Sequence, residues 1–229
     1  MDGADTQMRG PLKDLSDLSH MPNLKVVLIE GEQITNLSPM KELYELQQIN
    51  LAANDISDLS PLADKENLRE VRLLDNGMLE EIEVVRTWSA LCYLNLDSTG
   101  KYDGSPIAEF QRYEYLGIKN NSDAWKYIQG MHIDALAMGS AGQTDLECIR
   151  DVTYIGSLYI EYTDIWDISA LEGREDITYL NMIECIVDDL SPLFTMPNLA
   201  TMDMSASERY RMEELIEKYG ESAFQINYI

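Results

Sequence analysis

An aliphatic residue returns along this chain at Ile29, Leu51, Leu73, Leu96, Ile118, Met138, Ile160, Met182 and Met204, in steps of 22, 22, 23, 22, 20, 22, 22 and 22 residues. The same pattern surrounds each return. NLKVVLIEGEQIT (Asn23–Thr35), ELQQINLAANDIS (Glu45–Ser57) and NLREVRLLDNGML (Asn67–Leu79) align without a gap. Each reads leucine, two variable residues, an aliphatic, one variable residue, a second aliphatic, two variable residues, then asparagine or a substitute. A second phrase keeps its own offset: Leu15-Ser16, Leu37-Ser38-Pro39, Leu59-Ser60-Pro61, Ser105-Pro106, Ile168-Ser169 and Leu190-Ser191-Pro192. A unit this short exposes an apolar face that it cannot bury alone, so the units must stack into one continuous core.

The two aliphatics of a unit are separated by one residue and so share one face of a short strand. After the strand, Asn54 and Asn76 stand where a side-chain amide can bond backbone groups that the turn leaves unpaired. Glu32, Thr99, Ala141, Thr163, Cys185 and Ser207 take that place in other units. Ser60-Pro61 and its copies suit the start of a helical turn, with serine as the cap and proline at the first helical position. Asp58, Asp167 and Asp189 share one offset with Asn36. That mixture points to turns closed on backbone amides, and away from a metal row. Trp88, Trp125 and Trp166 fall between strands, towards the convex side, and are expected to pack.

This pattern resembles the leucine-rich repeat family, whose signature is L-x-x-L-x-L-x-x-N/C-x-L. The 22-residue period and the Ile-x-Asp-Leu-Ser-Pro-Leu tail resemble the bacterial internalin-like class over roughly residues 12–207. The resemblance implies an α/β solenoid: a curved, right-handed stack with a parallel sheet of about ten short strands on its concave face. Because the signature also allows cysteine at the asparagine position, Cys185 reads as a structural thiol. Function is not implied with the same force, since the shared motif is the scaffold.

Nine units are expected over residues 15–207. Residues 208–229 form a C-terminal cap. There Met212, Leu215, Ile216 and Tyr219 recur at helical spacing, Gly220 is a fitting stop, and Phe224, Ile226 and Tyr228 alternate like a strand. Residues 1–14 read as a partial leading repeat, with Asp5 and Gln7 where inward aliphatics belong, which is the expected mark of a truncated start. Internalin-like relatives carry an N-terminal cap and a secretion signal, and the chain as written shows neither. An extracellular or cell-surface location is therefore expected if residues precede Met1, and a cytoplasmic one otherwise.

Charge narrows the partners. Seventeen Lys plus Arg stand against 41 Asp plus Glu, a net charge of −24. Nucleic acid and anionic lipid would be repelled, and no apolar run reaches membrane-spanning length, so a protein or peptide with a basic surface is expected. No cofactor or metal is expected: Cys92, Cys148 and Cys185 have no ligand spacing. Enzyme activity is not expected either. His20 and His132 are the only histidines, and neither a G-x-S-x-G elbow nor a phosphate loop is present.

Residues flanking the two aliphatics point to solvent and form three ladders across the sheet. On them Tyr93 and Tyr115 are neighbours, and Tyr159 and Tyr179 lie diagonally across later strands. Between the pairs, Gly117, Ala135, Ala137 and Gly139 carry almost no side chain. With strands about 4.8 Å apart, that leaves a shallow slot on the order of 10 Å wide. Tyr162 and Glu161 stand at its edge, within a ring of acids. The expected function is protein or peptide binding at this slot by a bacterial surface or secreted recognition module. The alternative is a cytoplasmic scaffold or regulator, or an effector delivered into a host.

Overall fold

The structure is a computed structural model that describes residues 13–121, 123–139, 142–220 and 224–229. All but the last two residues of the leading unit expected at 1–14 lie outside these, as does Ala141. Eleven strands form one open parallel sheet: β1 Val26–Leu28, β2 Gln48–Asn50, β3 Glu70–Arg72, β4 Tyr93–Asn95, β5 Arg112–Tyr113, β6 Tyr115–Gly117, β7 His132–Ala137, β8 Tyr154–Tyr159, β9 Tyr179–Met182, β10 Thr201–Met204 and β11 Gln225–Tyr228. They lie side by side in chain order, except that β5 leaves the path and pairs with β7. Among the described residues one α-helix, α1 (Arg209–Tyr219), stands between β10 and β11, and the other helical pieces are short 3-10 turns.

Register follows the repeat. Val27 pairs with Ile49, Ile49 with Val71 and Val71 with Leu94, so every first aliphatic sits beside the next. The 20-residue step does not break the series, because Leu116 still pairs with Leu136 and Gly117 with Ala137. The deletion is absorbed outside the strands. A one-residue slip would turn the whole buried row to solvent, and this is why the short unit loses loop and keeps register. Ile49, Val71, Leu94, Leu116, Leu136, Leu158, Leu180 and Met202 are all fully buried. Fully burying each such side chain stabilises by roughly 1.5–3 kcal/mol. At the far end Met182, Met202, Met204 and Met212 fill the core, where an unbranched thioether fits irregular space.

The asparagine position is a stitch between units. Asn76 is fully buried. Its amide nitrogen donates to Leu51 O (2.9 Å) and Leu73 O (2.8 Å), and its Oδ1 accepts from Ile56 N (3.0 Å). Asn54 repeats the arrangement with Ile29 O, Leu51 O and Ile34 N. The substitutes keep part of it. Thr99 and Thr163 each donate Oγ1 to a carbonyl at 2.7 Å, and Cys185 Sγ reaches Ile160 O at 3.0 Å. Burial pushes the Cys185 thiol pKa up, which suits a structural role. Asn121 occupies the same position and donates to Tyr102 O.

The serines do not cap. No 3-10 turn that starts at one of these serines has a side-chain cap from the preceding residue, and the serine is itself the first helical residue. The Asp or Asn two residues earlier does the work: Asp58, Asp167 and Asp189 each accept the serine N–H at 2.8 Å, and Asn36 accepts Ser38 N at 2.9 Å. A carboxylate reaches that amide more easily than a short hydroxyl placed on the turn itself. Proline follows Ser38, Ser60 and Ser191 at the second position, where no N–H is needed, and alanine follows Ser169.

The tryptophans divide. Trp88 is fully buried and donates Nε1–H to Leu62 O at 2.8 Å. Trp125 is partly buried, and its Nε1 has no partner. Trp166 is 45% exposed, so packing does not account for it.

Candidate functional site

Each three-residue strand turns its middle residue into the core and its two flanking residues outward, and the parallel register lines the outward residues up across the sheet. Tyr93 and Tyr115 come directly opposite each other on β4 and β6, and their rings stack at 4.5 Å with 12° between planes. Arg72 lies over the Tyr93 ring at 4.5 Å and pairs with Glu70, so cation and two rings form one pile. On the other side Tyr159 and Tyr179 meet at 5.3 Å, tilted by 49°. Tyr179 donates its hydroxyl to Asp203 at 2.5 Å, and Asn227 donates to the other oxygen at 2.7 Å. Burial pushes the Tyr115 and Tyr179 phenols well above the usual range, so both remain neutral donors.

Gly117, Ala137 and Gly139 lie between these pairs, and all three are buried; Ala135 is half-buried. The glycines are points of close approach and not an open floor. A Cβ on Gly117 would stand 2.8 Å from Asn95 Oδ1, and one on Gly139 would stand 2.2 Å from Thr163 Cγ2. Gly139 also has φ +120°, which excludes ordinary side chains. Lys119 and Glu161 reach towards each other from the units on either side of Gly139 and pair at 2.5 Å. Their side chains are each 19% exposed. Glu161 Oε2 is buried and has no partner. Tyr162 stands apart: it is exposed, holds φ +60° on the turn after β8, and joins neither aromatic pair.

The ring of acids is less available than expected. Glu30 accepts from Asn50, Glu70 holds Arg72, Asp203 holds Tyr179 and Asn227, and Glu161 holds Lys119. Lys119 was legible as the only cation of its ladder, two residues after β6 and facing Glu161 across Gly139. Asp97 sits beside it and accepts Lys119 N at 2.7 Å. Burial pushes its carboxyl pKa up, against that bond and the Lys119 charge.

A carboxyl raised in the folded state makes ionisation unfavourable to folding. The two states titrate alike below the unfolded value of about 4, and the penalty grows as pH rises from there to the folded value. Asp97→Asn keeps the Oδ1 acceptor. Urea unfolding is expected to give equal stability for variant and wild type below about pH 4, with the variant gaining as pH rises. A gap that does not change with pH would show that Asp97 carries no such penalty.

His132 stacks on Tyr154 at 4.2 Å and bonds Asp134 at 2.9 Å, and His20 is exposed beside Ser19. Among the described residues no group of three His, Cys, Asp or Glu could hold a metal ion, and no helix is long and apolar enough to cross a membrane.

One strand per 22-residue unit, stacked in register over a single core and stitched by asparagine-type side chains, defines a leucine-rich repeat solenoid. The fold of this chain is the one that solved internalins share. The solved internalin inlF of Listeria monocytogenes is similar to it with a TM-score of 0.68 and 20% identity, over 95% of this chain and 73% of that one. The leucine-rich repeat domain of the type III effector XopL gives 0.58 and 15%, over 84% and 72%. A plant peptide hormone receptor solved in complex with RGF2 gives 0.50 and 10%, over 83% and 41%. At these identities the likeness is one of fold. No protein-family model and no curated protein matches the chain.

Proposed function

We propose that this solenoid binds a protein or peptide on the solvent-facing, concave side of its sheet. Tyr93, Tyr115, Tyr159 and Tyr179 serve as anchors, and Gly117, Ala135, Ala137 and Gly139 as the strip between them. Glu161 and Tyr162 stand at the margin. The observation that carries this reading is the spacing of the two tyrosine pairs: four half-exposed rings on outward ladders, set on either side of the small residues. Tyrosine buries much area for little lost entropy and keeps a hydroxyl to pair, so such rings anchor interfaces well. With 41 Asp plus Glu against 17 Lys plus Arg, the chain favours a partner with a basic surface. The plant receptor solved with RGF2 supports a peptide or protein partner in general.

The setting we favour is surface or secreted recognition, on the likeness to the internalin. The likeness to the XopL domain supports the second reading, an effector delivered into a host. In both the role is binding and not turnover, with no cofactor.

Peptides selected from a random display library on the wild-type protein provide the test. Tyr93→Ala/Tyr159→Ala is expected to weaken the selected peptides by more than about tenfold while circular dichroism stays unchanged. Affinity equal to wild type would remove the sheet face from consideration.

A further inference from the structure

Trp166 and Ile186 break the repeat on a different side of the molecule. At the offset of Trp166 other units carry the polar Thr35, Ser57, Thr144 and Asp188, or Leu79, Tyr102 and Ala124, which turn into the core; at that of Ile186 they carry Gln33, Asp55 and Asp164, or Gly77, Gly100 and Gly142. In those units the position is polar, small or buried. Two successive units carry instead an indole that is 45% exposed and an isoleucine that is 78% exposed. Folding gains little from either.

Both lie in the loops that follow β8 and β9, and together they line a concavity of about 420 Å³ with Thr163, Asp164, Glu184 and Asp188. That volume is in the range of sites that seat a side chain or small ligand. The backbone beneath the indole is fixed. Trp166 N donates to Thr144 O at 3.1 Å and Trp166 O accepts from Asp188 N at 3.0 Å, so its backbone is clamped by the loops on both sides. Little backbone entropy is lost when something covers it. Asp164, Glu184 and Asp188 form no ion pair among the described residues. The nearby Arg211 guanidinium is committed to the carbonyls of Val187 and Asp188 and to Glu208. Unneutralised carboxylates around an aromatic face favour a cation, and the isoleucine beside them favours an apolar neighbour.

We propose that this concavity is a second docking site, separate from the sheet face, that takes a basic side chain next to an apolar one from a segment of a partner protein. The cationic head lies among the carboxylates and over the indole. The apolar neighbour covers Ile186.

The probe is a short peptide of alternating arginine and leucine. Controls of the same length alternate arginine with serine and glutamate with leucine. Trp166 is the exposed tryptophan, so its emission reports occupancy in the wild type, and titration calorimetry reads binding in every variant. Saturable binding of the arginine–leucine peptide is expected. Trp166→Ser and Ile186→Gln, which install residue types that other units already carry, should each weaken it at least about tenfold with the fold intact. Tyr93→Ala/Tyr159→Ala should leave it unchanged, so failure here is distinguishable from failure of the sheet site. The proposal falls if either patch variant binds like wild type, if either control binds as well as the probe, if no peptide saturates, or if the tyrosine variant loses the peptide. Sedimentation showing a dimer that Trp166→Ser dissolves would overturn it in favour of a second copy of this chain.

Discussion

Asn76→Ala is expected to lower stability by about 3–5 kcal/mol, since it strands buried backbone groups that cost roughly 1–3 kcal/mol each. Ile56 N–H loses its acceptor and Leu73 O loses its amide donor; Leu51 O keeps a bond from Asn54. The residue is fully buried, so bulk solvent does not reach the stranded groups. Two of its three main partners, Leu51 and Ile56, belong to the preceding unit. In a stack the stability is a sum of unit terms and nearest-neighbour terms, so the loss falls on the coupling between units. Urea unfolding should therefore show a lower midpoint and a broader transition. Cys185→Ala is the comparison: its thiol is a weak donor to Ile160 O, so the loss should be near the low end, about 1 kcal/mol. If the two substitutions cost the same, the ladder is not what couples the units.

Gly139→Ala should cost about 2–4 kcal/mol, combining a left-handed backbone with overpacking. The added Cβ would meet Thr163 Cγ2 at 2.2 Å, and φ is +120°. The two parts can be separated. Thr163→Ser removes the methyl and keeps the hydroxyl that bonds Ile160 O at 2.7 Å. Gly139→Ala/Thr163→Ser should therefore recover about half of the loss, the remainder being backbone strain. Recovery of all of it would show that the backbone is unstrained, and recovery of none would show that the threonine does not set the contact. Gly139 also lies under the Lys119–Glu161 pair, so thermal unfolding and peptide titration should be measured on the same variant.

Much of the scaffold was legible because one physical requirement repeats. An inward aliphatic at a fixed offset must meet its neighbour, so Val27, Ile49 and Val71 could be placed side by side from spacing alone. The same logic paired Tyr93 with Tyr115 and set Tyr159 diagonal to Tyr179. Turn chemistry was harder to read. Serine and aspartate both suit a helix start, and only the geometry shows that Asp58 and not Ser60 satisfies the amide. Small residues were harder still. Gly117 and Gly139 read as empty floor from a one-dimensional ladder, yet Asn95 and Thr163 fill the space above them.

The period, the buried face and the register of the sheet were determined by the sequence itself, because alternation and spacing act locally and leave one way to bury the apolar row. What tertiary structure alone decided is which outward side chains find each other. Lys119 crosses a whole unit to neutralise Glu161, Arg72 caps a pile of two tyrosines, and Trp166 stays clamped but uncovered. Side-chain reach and desolvation govern those outcomes, and neither is written in the order of the residues.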